Sequence, residues 1–212
     1  MVIDNRTARK YFPYLSFRPH QLKAIDFMYR VFRDEKIGLL SSPCGTGKSI
    51  SVITAFLLAR DEGFIDRILI LTRTKNQFEI YRREIEEVRK HSKESFIAAM
   101  FKSKKEMCPN IGESKALRDI GYRDFLRYCR SLKNGRKGFS CKYYERTVHG
   151  WKPTLEALDL LDEIEVKGLF MPDEIYNLAS REGFCPYEVT KLLFRRASIV
   201  VGSYNYYAAE TS

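Results

Sequence analysis

The segment Ser42-Pro43-Cys44-Gly45-Thr46-Gly47-Lys48-Ser49 constrains this chain more than any other. It follows a short apolar run, Ile37-Gly38-Leu39-Leu40-Ser41, and leads into a mostly apolar stretch from Ile50 to Arg60. Strand, glycine-bearing loop and helix, in that order, is the setting in which a phosphate loop works. The pattern G-x-x-x-x-G-K-[ST] is met except at its first position, where Ser42 stands. Gly45 and Gly47 let backbone amides turn toward phosphate oxygens. Lys48 brings positive charge to the β- and γ-phosphates, and Ser49 offers a hydroxyl to Mg²⁺. The helix that follows aims its positive end at the same anion. Cys44 and Thr46 fill the loop, Cys44 reading as a small loop residue rather than a metal ligand. A nucleotide with Mg²⁺ is therefore the expected ligand here.

Such a loop belongs in a parallel α/β sheet, and the first hundred residues supply the alternation. Ile25, Met28, Tyr29 and Phe32 recur at helical spacing between Gln21 and Asp34. Ile37–Ser41 reads as a buried strand, and Arg67–Thr72 as a second. Asn76–Lys90 reads as a charged helix with Phe78, Tyr81, Ile85 and Val88 on one face, and Phe96–Phe101 as a third strand. Strands apolar on both faces between helices indicate a parallel sheet. The alternation lapses after Lys102, and a strand signal returns only at Ser198–Gly202. The expected organisation is an α/β domain over 1–101, a loop-rich, mostly helical insert over 102–190, and a return to the first domain over 191–212. His149-Gly150-Trp151 reads as a turn. The three histidines have no ligand-like spacing.

Charge points to a polyanionic partner. The chain carries 37 Lys and Arg against 27 Asp and Glu, a net charge of +10. Between Phe101 and Gly150 there are 13 basic and 5 acidic residues; from Trp151 to Phe184 there are 3 and 8. A basic segment therefore precedes an acidic one. No apolar run approaches the roughly 18 residues of a membrane span, and Met1–Phe12 has no apolar signal-peptide core. A cytoplasmic, nucleoid or nuclear setting is expected.

Five cysteines, an odd number, do not form a disulfide framework. Cys108, Cys129, Cys141 and Cys185 are separated by 21, 12 and 44 residues. These are not the paired C-x-x-C spacings of zinc ribbons or bacterial ferredoxins. By spacing alone they could be isolated buried thiols, a zinc site or a cluster site.

Five ordered motifs resemble the XPD-type helicases of superfamily 2, which include the FancJ and DinG proteins. They are Phe12-Pro13-Tyr14 with Arg18-Pro19-His20-Gln21; the phosphate loop; Leu69–Thr74 with Gln77; Ala98–Cys108; and Cys185-Pro186-Tyr187 followed by Ala197–Tyr206. The resemblance spans essentially the whole chain. It implies an incomplete RecA-like motor domain interrupted by a 4Fe–4S domain. It also implies that Gln21 reads the adenine edge and that Arg73 and Thr74 lie near the DNA backbone. The four cysteines would hold the cluster. The implied activity is ATP-driven unwinding of DNA in the 5′ to 3′ direction, in repair. Single-stranded and forked duplex DNA are the implied partners, with possible repair-complex proteins unspecified. In the insert, Lys102, Lys104, Lys133, Arg136 and Lys137 are the candidate DNA contacts. Tyr128, Phe139, Tyr143 and Tyr144 are interleaved with its basic residues. One departure stands out. The family's Asp-Glu-Ala-His motif and second motor domain do not occur in these residues, so little hydrolysis by this chain alone is expected. A non-catalytic DNA-binding iron–sulfur or zinc module is the alternative.

Overall fold

The computed structural model describes residues 2–92, 95–135 and 140–204. Arg136, Lys137, Phe139, Asn205 and Tyr206 lie outside the described residues. The chain forms two compact units, Met1–Phe96 with Ser198–Tyr204, and Ile97–Ala197.

The first unit contains α1 (Asn5–Ala8), α2 (Gln21–Arg33), α3 (Lys48–Asp61), β1 (Ile68–Thr72) and α4 (Lys75–Ser92). The second begins with β2 (Ala98–Met100). It continues through α5 (Pro109–Glu113), α6 (Lys115–Asp119), α7 (Tyr122–Lys133) and α8 (Lys142–Thr147). A small hairpin follows, β3 (Val148–His149) and β4 (Lys152–Pro153), and then α9 (Leu155–Val166), α10 (Pro172–Arg181) and α11 (Pro186–Arg196). The chain returns to the first unit in β5 (Ile199–Ser203).

Gln21, Ile25 and Tyr29 recur every fourth residue and form the buried stripe of α2, which packs against α3. Helix α3 is buried nearly all round, through Ile50, Ile53, Ala55, Phe56, Leu57, Leu58 and Ala59. That follows from an apolar sequence with no polar face, and it makes α3 the centre of this unit. β1 and β5 pair in parallel, from Ile68 opposite Ile199 to Thr72 opposite Ser203. Parallel strands need a long crossover, and here about 125 residues intervene between them. Ile199, Val200 and Val201 are buried, as expected for a strand covered on both faces.

The reading of Ile37–Ser41 as a buried strand is corrected. No strand forms there, and Ile37 and Leu39 are 104% and 94% exposed. A strand exists through hydrogen bonds to a neighbour. Among the described residues of this unit, β1 and β5 pair with each other and none pairs with 37–41. The segment instead passes close over α2, where a Cβ on Gly38 would lie 2.6 Å from a Val31 methyl.

In the second unit, α9, α10 and α11 supply most of the core, with Leu160, Leu161, Ile164, Ile175, Val189 and Leu193 buried. Local chemistry sets their starts. The Thr154 hydroxyl caps α9 by accepting from the Ala157 amide at 3.1 Å. Pro172 and Pro186 open α10 and α11, where a missing N–H costs nothing. Gly150 and Trp151 form the expected turn between β3 and β4, with Gly150 at φ +61° and Trp151 98% exposed. No described helix is long and apolar enough to cross a membrane.

Candidate functional site

The phosphate loop folds over the start of α3. Gly45 and Gly47 both adopt φ +81°, a left-handed conformation that glycine reaches without steric cost. Gly47 is the N-cap of α3 and offers no side chain to cap the helix, so among the described residues no side chain caps its first amides. Lys48 Nζ donates to the carbonyls of Ser42 and Pro43, both at 2.7 Å. The Ser42 and Thr46 hydroxyls are 2.7 Å apart, and Thr46 also donates to the Pro43 carbonyl. Cys44 is exposed. Burial pushes the phenol of Tyr81, on α4, up from its ordinary pKa, and the Ser49 hydroxyl near it offsets part of that rise.

Gln21 is drawn against this loop. It is 3% exposed; its amide nitrogen donates to the Gly47 carbonyl at 3.2 Å, and its oxygen accepts from the Arg18 amide at 2.9 Å. A Cβ on residue 47 would lie 2.1 Å from that nitrogen, so both backbone angle and space demand glycine there.

Arg73 and Thr74 are exposed between β1 and α4. Thr74 and Gln77 form a reciprocal cap. The Thr74 hydroxyl accepts from the Gln77 amide, and the Gln77 side-chain oxygen accepts from the amides of Thr74 and Arg73.

The four cysteines of the second unit line one cavity, together with Lys104, Lys133 and several tyrosines. Three of them stand at helix N-caps: Cys108 at α5, Cys141 at α8 and Cys185 at α11. Helix N-termini favour negative charge. Cys129 projects from the middle of α7. The Asn110 side-chain amide lies 3.9 Å from the Cys141 sulfur. Burial pushes the Cys108 thiol up to about 11 and the Cys185 thiol to about 12, and it raises Cys129 as well. These thiols therefore keep their protons near neutrality unless a metal displaces them. Among the described residues, no Asp, Glu or His lines the cavity. Among the described residues, no three Cys, His, Asp or Glu converge closely enough to hold a single ion.

The candidate DNA contacts of the insert have distinct placements. Lys102 pairs with Asp173 at 2.6 Å. Lys104 lies inside the cysteine cavity, 5.0 Å from the Tyr187 ring centroid, and burial lowers its pKa. Lys133 also lines the cavity, paired with Glu188 and 4.1 Å from the Tyr144 ring centroid. Lys104 and Lys133 are thus turned toward the thiols rather than displayed as a solvated surface. The exposed basic residues of α7 are Arg123, Arg127 and Arg130. Their spacing puts them on one stripe, opposite the inward Phe125, Cys129 and Leu132. Glu188 was not singled out by the sequence. Its one local signal is its place in the first turn of a helix that starts at Pro186.

The sequence profile of DEAD_2 matches residues 70–211, or 142 of the 212 residues. The chain belongs to this family, that of the XPD-type superfamily 2 helicases. A second profile, Type III restriction enzyme, res subunit, matches residues 14–119. The chain is 26% identical over 223 residues to the general transcription and DNA repair factor IIH helicase subunit XPD of Arabidopsis thaliana. That match covers 97% of this chain and 28% of the relative. The subunit of the same name from Dictyostelium discoideum is 22% identical over 210 residues, covering 92% of this chain and 25% of the relative. The chain thus spans about a quarter of the length of these relatives. A solved XPD helicase shares the fold with a TM-score of 0.51 at 20% identity, over 91% of this chain and 29% of that one.

Proposed function

We propose that this chain is the nucleotide-binding and strand-engaging part of an ATP-dependent 5′ to 3′ DNA helicase acting in repair, and that its second unit holds a 4Fe–4S cluster. The observation that carries the reading is the meeting of Cys108, Cys129, Cys141 and Cys185 in one cavity of a chain of the XPD family. The donor set fits the group: four thiols, no carboxylate or imidazole among the described lining residues, and three helix N-termini to offset thiolate charge. A single zinc ion would draw its sulfurs to about 2.3 Å from one centre. A polynuclear cluster bridges thiols that share a cavity without meeting at a point. When bound, the cluster supplies covalent cross-links among α5, α7, α8 and α11 and a one-electron couple.

In the first unit, Lys48 would neutralise the β- and γ-phosphates, Ser49 would hold Mg²⁺, and the uncapped start of α3 would receive phosphate oxygens. Gln21 holds the loop through Gly47 and would sense the adenine. Arg73 and Thr74 of the first unit would contact DNA phosphates, and so, separately, would Lys102 and the arginine stripe of α7 in the second, on a single strand or a forked duplex.

Two measurements test this. Protein purified without oxygen is expected to be brown and to carry four Fe per chain. Colourless protein with one stoichiometric zinc overturns the cluster. A fluorescent ATP analogue with Mg²⁺ is expected to bind the wild-type chain and to lose at least ~10-fold in affinity in Lys48→Ala, about 1.4 kcal/mol of lost charge-assisted contact. Equal binding by the two proteins removes the phosphate loop from the account.

A further inference from the structure

The ion pair between Lys133 and Glu188 joins the two helices that carry Cys129 and Cys185. Lys133 stands one turn beyond Cys129 on α7, and Glu188 one turn beyond Cys185 on α11. The side chains of Lys133 and Glu188 are only 18% and 11% exposed. Glu188 follows Cys185 by three residues, and its second carboxylate oxygen is 4.0 Å from Lys191, which is 41% exposed. Tyr144 covers Lys133 at 4.1 Å. Two unlike charges, 55 residues apart in sequence, are thus sequestered beside two thiols. A surface ion pair would contribute little; a sequestered pair next to ligand groups sets their spacing and their electrostatic environment.

We propose that Lys133 and Glu188 are positioning residues of the thiol cavity. They hold α7 against α11 and set the net charge next to Cys129 and Cys185, and so the potential of the iron–sulfur group. This rests on the cluster reading above. Four thiolates make such a group anionic, and reduction adds one more negative charge. Lys133 therefore favours the reduced form and Glu188 the oxidised form. The two substitutions must then act in opposite directions. Glu188→Gln leaves Lys133 uncompensated and raises the reduction potential. Lys133→Met leaves a sequestered carboxylate facing thiolates, which lowers the potential and speeds iron loss.

The experiment is film voltammetry on the full chain, with the rate of iron release to a chelator measured alongside, for wild type, Lys133→Arg, Lys133→Met, Glu188→Gln and the double variant. The expected result is an upward shift for Glu188→Gln and near-wild-type behaviour for Lys133→Arg. Iron release is expected to be at least several-fold faster in Lys133→Met and partly restored in the double variant. If Lys133→Met cannot retain iron, Glu188→Gln carries the sign test alone. An unchanged or lowered potential in Glu188→Gln overturns the proposal while the cluster reading stands, as do single variants that lose iron alike with no shift of opposite sign. Wild-type protein without iron overturns both.

Discussion

Glu35 shows how a single residue can be held against its own preference. It follows α2 at φ +51°, in the left-handed region where a Cβ crowds the next carbonyl. Its neighbours require the position: the amide of Asp34 bonds the Arg30 carbonyl, and that of Lys36 bonds the Val31 carbonyl. These bonds close the last turn of α2 in the manner usually given to glycine. Glu35→Gly should therefore stabilise the chain by about 0.5–1 kcal/mol, the relief of strain exceeding the extra entropy of unfolded glycine. Urea denaturation would show a higher midpoint with an unchanged slope, and a lower midpoint would contradict the strain argument. Gly47 is the opposite case, since backbone angle and the Gln21 amide both exclude a side chain. The sequence pattern foretold that glycine, but the closeness of Gln21, 26 residues away, was visible only in the fold.

At the scale of the element, α7 carries two separate tasks on two faces. Its inward face presents Phe125, Cys129 and Leu132 to the thiol cavity, and its outward face presents Arg123, Arg127 and Arg130. Arg127 is paired with Asp124 at 3.2 Å, but both are well exposed, so the pairing is weak and readily exchanged for phosphate. Replacing the three arginines with alanine should weaken binding to single-stranded DNA whatever its base sequence. It should also flatten the dependence of log affinity on log salt by roughly 0.7 per lost contact, about 2 in all. Iron content should be unaffected. Titrations over a range of salt concentrations would settle it; a triple variant with wild-type slope would move the footprint to Arg73 and Lys102. Lys133 lies on the same helix, yet it is expected to change the potential more than the salt slope, because it faces Glu188.

At the scale of the whole molecule, the two units are stabilised differently. The first has the fully buried α3 and a parallel strand pair. The second contains α5 and α6 of five residues each and α8 of six, too short to persist without tertiary ties. If Cys108, Cys129, Cys141 and Cys185 share a cluster, its removal should loosen the second unit selectively. Cys129→Ser or anaerobic chelation is expected to speed proteolysis within 97–197 several-fold, while peptides from 48–92 keep their protection. Even cleavage of both units, or none, would argue that apolar packing alone holds the second.

The sequence by itself determined the features that act over a turn or two of chain. The glycines of the phosphate loop, the stripe of α2, the apolar α3, the strands β1 and β5 and the turn at Gly150 are written in local residue type and period. Their physical causes, backbone angle and burial of one face, are local as well. The motifs were also enough to indicate the family to which the chain belongs. Tertiary structure decided what depends on distant partners. It left Ile37 and Leu39 exposed because a strand forms only beside another strand. It brought four thiols separated by 21, 12 and 44 residues to one cavity, which no spacing rule contains. It also turned Lys104 and Lys133 inward, where charge counts could only have marked them as basic. Charge along a chain is a property of sequence, but the direction in which a charge points is set by the packing of the helices that carry it.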